Sequence, residues 1–222
     1  MTSDKKKKHS VLLIEDHPIV RFGLSVLISQ HNDLQVVNAV ENGEKALEFL
    51  KKTTVDIIIV DLSLPDMNGI DLIKYIRRMD VQTPILVLSV LEEEFYAERA
   101  FAAGALGYVM KQEVSETIIE AIRKVIANEL YASDKIKNRL LKKAIGKHEE
   151  TEDSYLSTLT DRELQVFELL GKGLETRQIA DTLRLSIKTI ETYREHIKLK
   201  LNIKNSTELI KQASQWELTR RK

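Results

Sequence analysis

The chain contains no cysteine. That excludes a disulfide framework, a thiolate metal site and a cysteine nucleophile. It has no apolar run near the roughly 20 residues of a membrane-spanning helix. The opening MTSDKKKKHS leads into a short strand-like run, not a secretory core. The expectation from both absences is a cytoplasmic protein with no membrane partner. There is no internal repeat, and no low-complexity segment beyond the four lysines, which read as a solvated tail. Net charge is absent too: 34 Lys/Arg offset 34 Asp/Glu in 222 residues. That length suits one large domain or two small ones.

The charge is unevenly spread. Residues 9–128 hold 11 Lys/Arg against 18 Asp/Glu, a balance of −7. Residues 156–222 hold 13 against 9, a balance of +4. An acidic region that takes a cation and a basic one that meets a polyanion would give this asymmetry, and so would ordinary surface variation.

The first half alternates. Apolar runs at Val11–Ile14, Leu34–Val40, Val55–Val60, Pro84–Val90 and Leu106–Met110 read as strands. Amphipathic stretches near 18–29, 43–52, 69–79, 92–103 and 113–128 lie between and after them. Strand–helix alternation implies βαβ units and a parallel sheet. Strands built almost wholly of Val, Ile and Leu imply a sheet covered on both faces. The expected fold is therefore α/β, a doubly wound (βα)5 domain over residues 9–128, with its site at the carboxyl ends of the strands.

Those strand ends carry chemistry. The first delivers Glu15 and Asp16, the third Asp61, the fourth Ser89 and the fifth Lys111. Taken singly, Glu15–Asp16 also reads as a solvated strand end or a cap before Pro18, Ser89 as a helix cap, and Lys111 as a surface lysine. Asp61 resists such a reading, because IIIV runs straight into it and PDMNG then opens a helix. Three carboxylates side by side repel unless a cation neutralises them. Oxygen ligands without His or Cys point to a hard ion, and Mg²⁺ fits best. A carboxylate beside Mg²⁺ and a lysine can attack phosphorus and become an aspartyl phosphate. Ser89 and Lys111 would then each meet a phosphoryl oxygen.

Residues 129–155 read as a linker that is partly helical, since DKIKNRLLKKAIG could continue as a helix before the acidic HEETED. From residue 156 to 222 the pattern is all helical, and four helices fit. Thr160-Asp-Arg-Glu163 is a capping box, with Leu159 and Leu164 placed for a hydrophobic staple. Further helices fit near 176–183, 187–201 and 206–217. In the third, Ile187, Ile190, Tyr193, Ile197 and Leu201 share one face, and Lys188, Glu191, Thr192 and Glu195 the opposite one. A short turn, Arg184–Ser186, before a helix with an exposed polar face suits a helix-turn-helix. A small bundle with a merely solvated face has the same periodicity. The two glutamates would repel phosphates, although Glu can accept a hydrogen bond from cytosine.

The ordered motifs IEDH (14–17), VDLSLPDMNG (60–69), LS (88–89) and AGALGYVMK (103–111) resemble the receiver domain of two-component response regulators. LTDRELQVFELLGKGLETRQIADTLRLSIKTIETYREHIKLKL resembles the LuxR-type helix-turn-helix. The two in this order resemble the NarL/FixJ class. The resemblance implies a DNA-binding transcription regulator, not an enzyme beyond its own phosphotransfer and dephosphorylation. A sensor histidine kinase would phosphorylate Asp61. Asp16, Asp61 and the Ser63 backbone carbonyl would hold Mg²⁺, with Glu15 acting directly or through water. Ser89 and Tyr108 would be the switch pair, the ring turning inward on phosphorylation. Promoter DNA would meet Glu191, Thr192, Glu195 and Lys188 at the bases. Thr189, Arg194, Lys198 and Lys200 would meet phosphates, and Thr176 and Arg177 would begin the supporting helix. A phosphorylation-promoted homodimer is implied, with the last helix and Trp216 at its interface or in plain core packing. RNA polymerase is a candidate partner.

Three departures from the family pattern stand out. Leu64 stands where methionine is commonest, and Gln112 where proline is frequent. Ser63 and Leu91 occupy positions that tune hydrolysis of the phosphoryl group, and Leu91 offers nothing to orient water. A long-lived phosphorylated state is expected. Two rival readings remain at this point: a phosphatase using Asp61 as nucleophile, which would want an acid/base aspartate where Ser63 stands, and a relay or protein-interaction receiver whose helical domain binds no DNA.

Overall fold

A computed structural model of the chain describes residues 8–146 and 154–220. Lys5, Lys6 and Lys7 of the lysine run, and residues 147–153 of the expected linker, lie outside the described residues. The chain divides into two compact units, Met1–Lys147 and His148–Lys222.

The first unit alternates strand and helix. Its elements are β1 (His9–Ile14), α1 (Pro18–Ser29), β2 (Leu34–Val40), α2 (Gly43–Leu50), β3 (Ile57–Val60), α3 (Gly69–Arg78), β4 (Ile85–Ser89), α4 (Glu93–Ala103), β5 (Gly107–Met110), α5 (Val114–Ile126) and α6 (Asp134–Ala144). All strands are parallel, in the order β2-β1-β3-β4-β5. Val11, Leu13, Ile57, Ile59, Leu86 and Leu88 pack with Leu24 and Ile28 of α1 and with Ile118, Ile122 and Val125 of α5. The alternate residues Leu12, Ile14, Ile58, Val60 and Val87 are as deeply buried. Both sheet faces are therefore covered, as continuous apolar strands require. The fold is the doubly wound (βα)5 sheet.

Two strands are shorter than the apolar runs suggest. β3 begins at Ile57, because Ser10 takes the Asp56 carboxylate with its N–H and its hydroxyl, both at 2.7 Å. β4 begins at Ile85, because Pro84 has no N–H to give and only accepts from Ile58 at 3.0 Å. Gln112 lies in a 3-10 turn, Lys111–Glu113, that precedes α5.

Residues 129–146, read from the sequence as the start of a linker, are attached to the first unit. Tyr131 bonds to the free edge of β5, donating to Leu106 at 3.1 Å and accepting from Tyr108 at 2.9 Å. This covers an otherwise open sheet edge. Ser133 caps α6 and donates its N–H to Glu93 at 2.8 Å. The basic α6 then lies on the acidic α4, pairing Lys135 with Glu94 at 2.9 Å, Arg139 with Glu98, and Lys143 with Glu98 at 3.3 Å.

The second unit is all α, with α7 (Asp161–Gly171), α8 (Thr176–Leu183), α9 (Ile187–Lys200) and α10 (Ser206–Arg220). The capping box forms as read: Thr160 N–H donates to Glu163 at 2.7 Å, and Glu163 N–H donates to the Thr160 hydroxyl at 3.4 Å. Leu159 and Leu164 are both buried. Phe167 of α7 meets Trp216 of α10 with ring centroids 5.6 Å apart. At Gly171 an added Cβ would lie 2.5 Å from the Ala213 carbonyl, so α7 and α10 touch closely there.

Candidate functional site

Sheet register builds the first site. Ile14 pairs with Val60, Val60 with Val87, and Ser89 with Met110. The residues just past these ends must therefore meet. Asp61 donates its N–H to the Ile14 carbonyl at 2.9 Å. Glu15 and Asp61 are each 1% exposed, Asp16 is 9% exposed, and Ser89 is fully buried. Lys111 reaches in with its Nζ 2.7 Å from Glu15 Oε2 and 2.9 Å from Asp61 Oδ2.

The ammonium thus pairs with two of the three carboxylates, Glu15 and Asp61. Burial raises the Glu15 pKa, the Asp61 charge raises it further, and Lys111 offsets only part of this. Burial alone would lower the Lys111 pKa, but the charges and hydrogen bonds of Asp61 and Glu15 outweigh it and hold the lysine above its ordinary value. The negative charge remains in excess. Oxygens of Glu15, Asp16 and Asp61, with a nitrogen of His17, lie within 4.8 Å of one another. Buried, convergent, undercompensated carboxylates fit a divalent cation. The oxygen-only set expected from the sequence leaves out His17. Its Nδ1 lies 2.7 Å from Asp16 Oδ1 at the exposed rim.

The loop after β3 folds back on Asp61. Ser63 donates its N–H to Asp61 Oδ1 at 3.1 Å and bridges to Asn68. Asn68 caps α3, accepting from Ile70 at 2.8 Å. Gly69 is obligatory, because an added Cβ would lie 2.3 Å from the Asp61 carbonyl.

The second unit presents α9. Ser186 caps it, accepting from Thr189 at 3.0 Å. Ile190 and Ile197 are fully buried, while Tyr193 and Leu201 are half-buried. Ile187 departs from the expected apolar face and is 48% exposed, since it is the helix's first residue at the turn. Lys188, Glu191, Thr192 and Glu195 are all exposed. Several of the expected phosphate contacts are held within the unit. Arg194 donates to the Thr176 hydroxyl, tying α9 to α8. Lys198 pairs with Glu195 at 2.9 Å. Lys200 reaches the buried Glu163 at 2.6 Å. Thr189 shares a hydrogen bond with the Ser186 hydroxyl at 2.7 Å. Arg177 is exposed on α8, whose N-cap position is taken by Glu175.

Residues 11–123 match the family model of the response regulator receiver domain, and residues 157–213 that of the bacterial regulatory proteins of the luxR family. The chain is a response regulator of the NarL/FixJ class. It is a phosphorylation-dependent DNA-binding transcription regulator, and neither matched family is typical of enzymes. It is 34% identical to a nitrate/nitrite response regulator protein homolog of Haemophilus influenzae over 88% of this chain and 91% of that one. It is 33% identical to the fimbriae Z protein of Salmonella typhimurium over 96% and 99%. Among solved structures it is similar to RcsB of Salmonella enterica serovar Typhimurium bound to promoter rprA with the phosphomimetic BeF3⁻. That match has a TM-score of 0.61, 29% identity, and covers 94% of this chain and 99% of that one.

In this regulator Ser89 and Tyr108 converge on one backbone. Ser89 Oγ accepts from the Leu91 N–H at 3.1 Å, and the Tyr108 hydroxyl donates to the Leu91 carbonyl at 2.7 Å. Tyr108 is 2% exposed, so its ring is buried. Sequence reasoning took Leu91 for its side chain and missed its peptide groups. It also missed Arg21, which donates to the carbonyls of Glu15 at 2.6 Å and Asp16 at 3.1 Å and so pins the first acidic loop. Its spacing one turn past Asp16–His17 was the available signal.

Among the described residues no helix is long and apolar enough to cross a membrane.

Proposed function

We propose that Asp61 is the phosphoacceptor and that its phosphorylation controls promoter binding through α9. The observation that carries this reading is the buried Asp61 carboxylate with Lys111 at 2.9 Å and two further carboxylates beside it. The phosphoryl donor is a phosphohistidine of a sensor kinase. An Asp61 carboxylate oxygen forms a bond to phosphorus, the phosphorus–nitrogen bond breaks, and the imidazole leaves with its electron pair. Lys111 stabilises charge on the transferring group. Asp16, Asp61 and the Ser63 backbone carbonyl would hold Mg²⁺, with Glu15 acting directly or through water, and the ion would supply positive charge against the carboxylates and the phosphoryl oxygens. Ser89 then turns from Leu91 to a phosphoryl oxygen. Tyr108 and the backbone of Leu91 carry that change into the start of α4. The chain's own chemistry extends to taking up and losing this one phosphoryl group.

In the second unit, α9 lies in the major groove of promoter DNA. Glu191, Thr192 and Glu195 read base edges with Lys188. Thr189, Arg194, Lys198 and Lys200, with Thr176 and Arg177 of α8, supply the phosphate-facing side. The phosphorylated form is a homodimer that acts in the cytoplasm and is placed to meet RNA polymerase. The solved RcsB complex with a promoter and a phosphomimetic supports this reading for a relative of similar architecture. A gel shift with genomic fragments, with and without acetyl phosphate and Mg²⁺, tests it. Retention that rises on phosphorylation is expected. Labelled protein that retains no fragment would favour a relay that binds only protein, and failure to label would sink the assignment of Asp61.

A further inference from the structure

The tip of the loop that carries the acceptor is fastened to a helix outside the acidic crevice. Asp66 accepts the first two N–H groups of α2, from Gly43 at 3.1 Å on Oδ1 and from Glu44 at 2.9 Å on Oδ2. The third, from Lys45, goes to the cap residue Asn42 at 2.9 Å. The first turn of α2 is thus satisfied largely by a carboxylate borrowed from another loop, where the helix dipole favours negative charge. Met67 lies over the same turn: an added Cβ on Gly43 would meet its sulfur at 2.7 Å. Helix α2 is itself anchored in the core by Ala46 and Leu50.

The other end of this loop is the site. Leu62 accepts from Gly69 at 2.9 Å, Ser63 bridges to Asn68, and the Ser63 N–H holds Asp61 Oδ1 at 3.1 Å. Residues 62–69 therefore form a closed hairpin, with Asp61 at its base and Asp66 fastening its tip. We infer that Asp66 is a positioning residue for phosphoryl transfer: by fixing the loop to α2 it fixes the backbone of Ser63 and the carboxylate of Asp61. The inference rests on the reading of Asp61 as phosphoacceptor. Asp66 is exposed and its carboxylate is spent on the first turn of α2, so it acts through the loop. Groups that orient metal ligands from behind typically change affinity or activity by about 10–100-fold when removed.

The test uses the full-length protein with Asp66→Ala and Asp66→Asn. Mg²⁺ affinity is read by calorimetry on unphosphorylated protein, phosphorylation rate by acetyl phosphate and a phosphate-affinity gel, and folding by the melting temperature. Asp66→Ala is expected to weaken Mg²⁺ binding and slow labelling by about tenfold each. Asp66→Asn is expected to recover most of both, because its amide oxygen still accepts an N–H of α2. A lowered melting temperature with wild-type Mg²⁺ affinity and labelling rate would reduce Asp66 to a helix cap and overturn the inference. If Asp66→Ala does not fold, Asp66→Ser carries the same comparison, and wild-type values in Asp66→Ser and Asp66→Asn overturn it. Wild-type protein that takes no label would instead sink the phosphoacceptor assignment, leaving the Mg²⁺ titrations to decide the role of Asp66.

Discussion

The two units bury acid in opposite ways. The first gathers Glu15, Asp16 and Asp61 at one end of a sheet and sets the Lys111 ammonium between Glu15 and Asp61. The second buries Glu163 and answers its Oε2 with Lys200 at 2.6 Å and the Thr160 N–H at 2.7 Å. Burial would raise the Glu163 pKa, but those partners outweigh it and hold the carboxyl below its ordinary value. At Glu15 the balance falls the other way. The difference separates chemistry from architecture. Undercompensated buried charge is costly in a folded chain, and it persists where something binds it. Compensated buried charge holds helices together. The reading face of α9 belongs to neither class, because exposed side chains leave little energetic trace.

The strongest way to break this contrast is at the first site. Asp61→Asn should abolish labelling by acetyl phosphate and any phosphorylation-dependent gain in DNA retention. Lys111→Ala should slow labelling by about 100-fold, the usual cost of removing one group that stabilises developing charge. An effect near unity would mean that the ammonium merely neutralises the resting site.

Glu163 probes the compensated acid. Its folded pKa is depressed, so its contribution is present above the ordinary glutamate pKa and is lost as pH falls through the folded value. Glu163→Gln should cost about 1 kcal/mol at neutral pH, because the Lys200 partner is exposed to solvent. That cost should shrink below the ordinary glutamate range. Denaturation followed by Trp216 fluorescence reads this unit alone, because Trp216 is the single tryptophan and lies on α10. A pH-independent cost would assign Glu163 to packing.

A smaller contrast lies along α9. Lys188→Ala should relax the preference at the base pair it reads, costing about 1–3 kcal/mol on the preferred sequence with little change in the salt slope. Lys200→Ala should reduce the salt slope by about one unit and also lower the stability of the second unit, since its ammonium pairs with Glu163. Equal salt slopes for the two variants would place both on phosphates. The smallest expected effect is at Leu91. Leu91→Asn should shorten the lifetime of the phosphorylated state a few-fold, measured as loss of label in Mg²⁺, because it adds a group that orients water.

Much of the first site was legible because strand ends in a parallel sheet must converge, so Glu15, Asp61, Ser89 and Lys111 could be placed together before any coordinates. The capping box was legible because both its bonds lie within four residues. What escaped has one property in common. His17, Arg21, Asp66 and the peptide groups of Leu91 act through contacts set by the path of loops, and loop paths carry no period. On α9 the helix and its buried residues Ile190 and Ile197 follow from spacing. The capture of Lys200 by Glu163 does not, since 37 residues separate them.

Alone, then, the sequence determined the order of strands and helices, the carboxylates at the strand ends and the helix with a polar face, because local propensity and hydrophobic period act over a few residues. Only the tertiary structure decided which charges are answered and which are left in excess. Fastening the acceptor loop to α2 through Asp66, and docking residues 129–146 on α4 and β5, were decided there too. These depend on distances between segments remote in sequence, which packing of the whole core sets and no local pattern records.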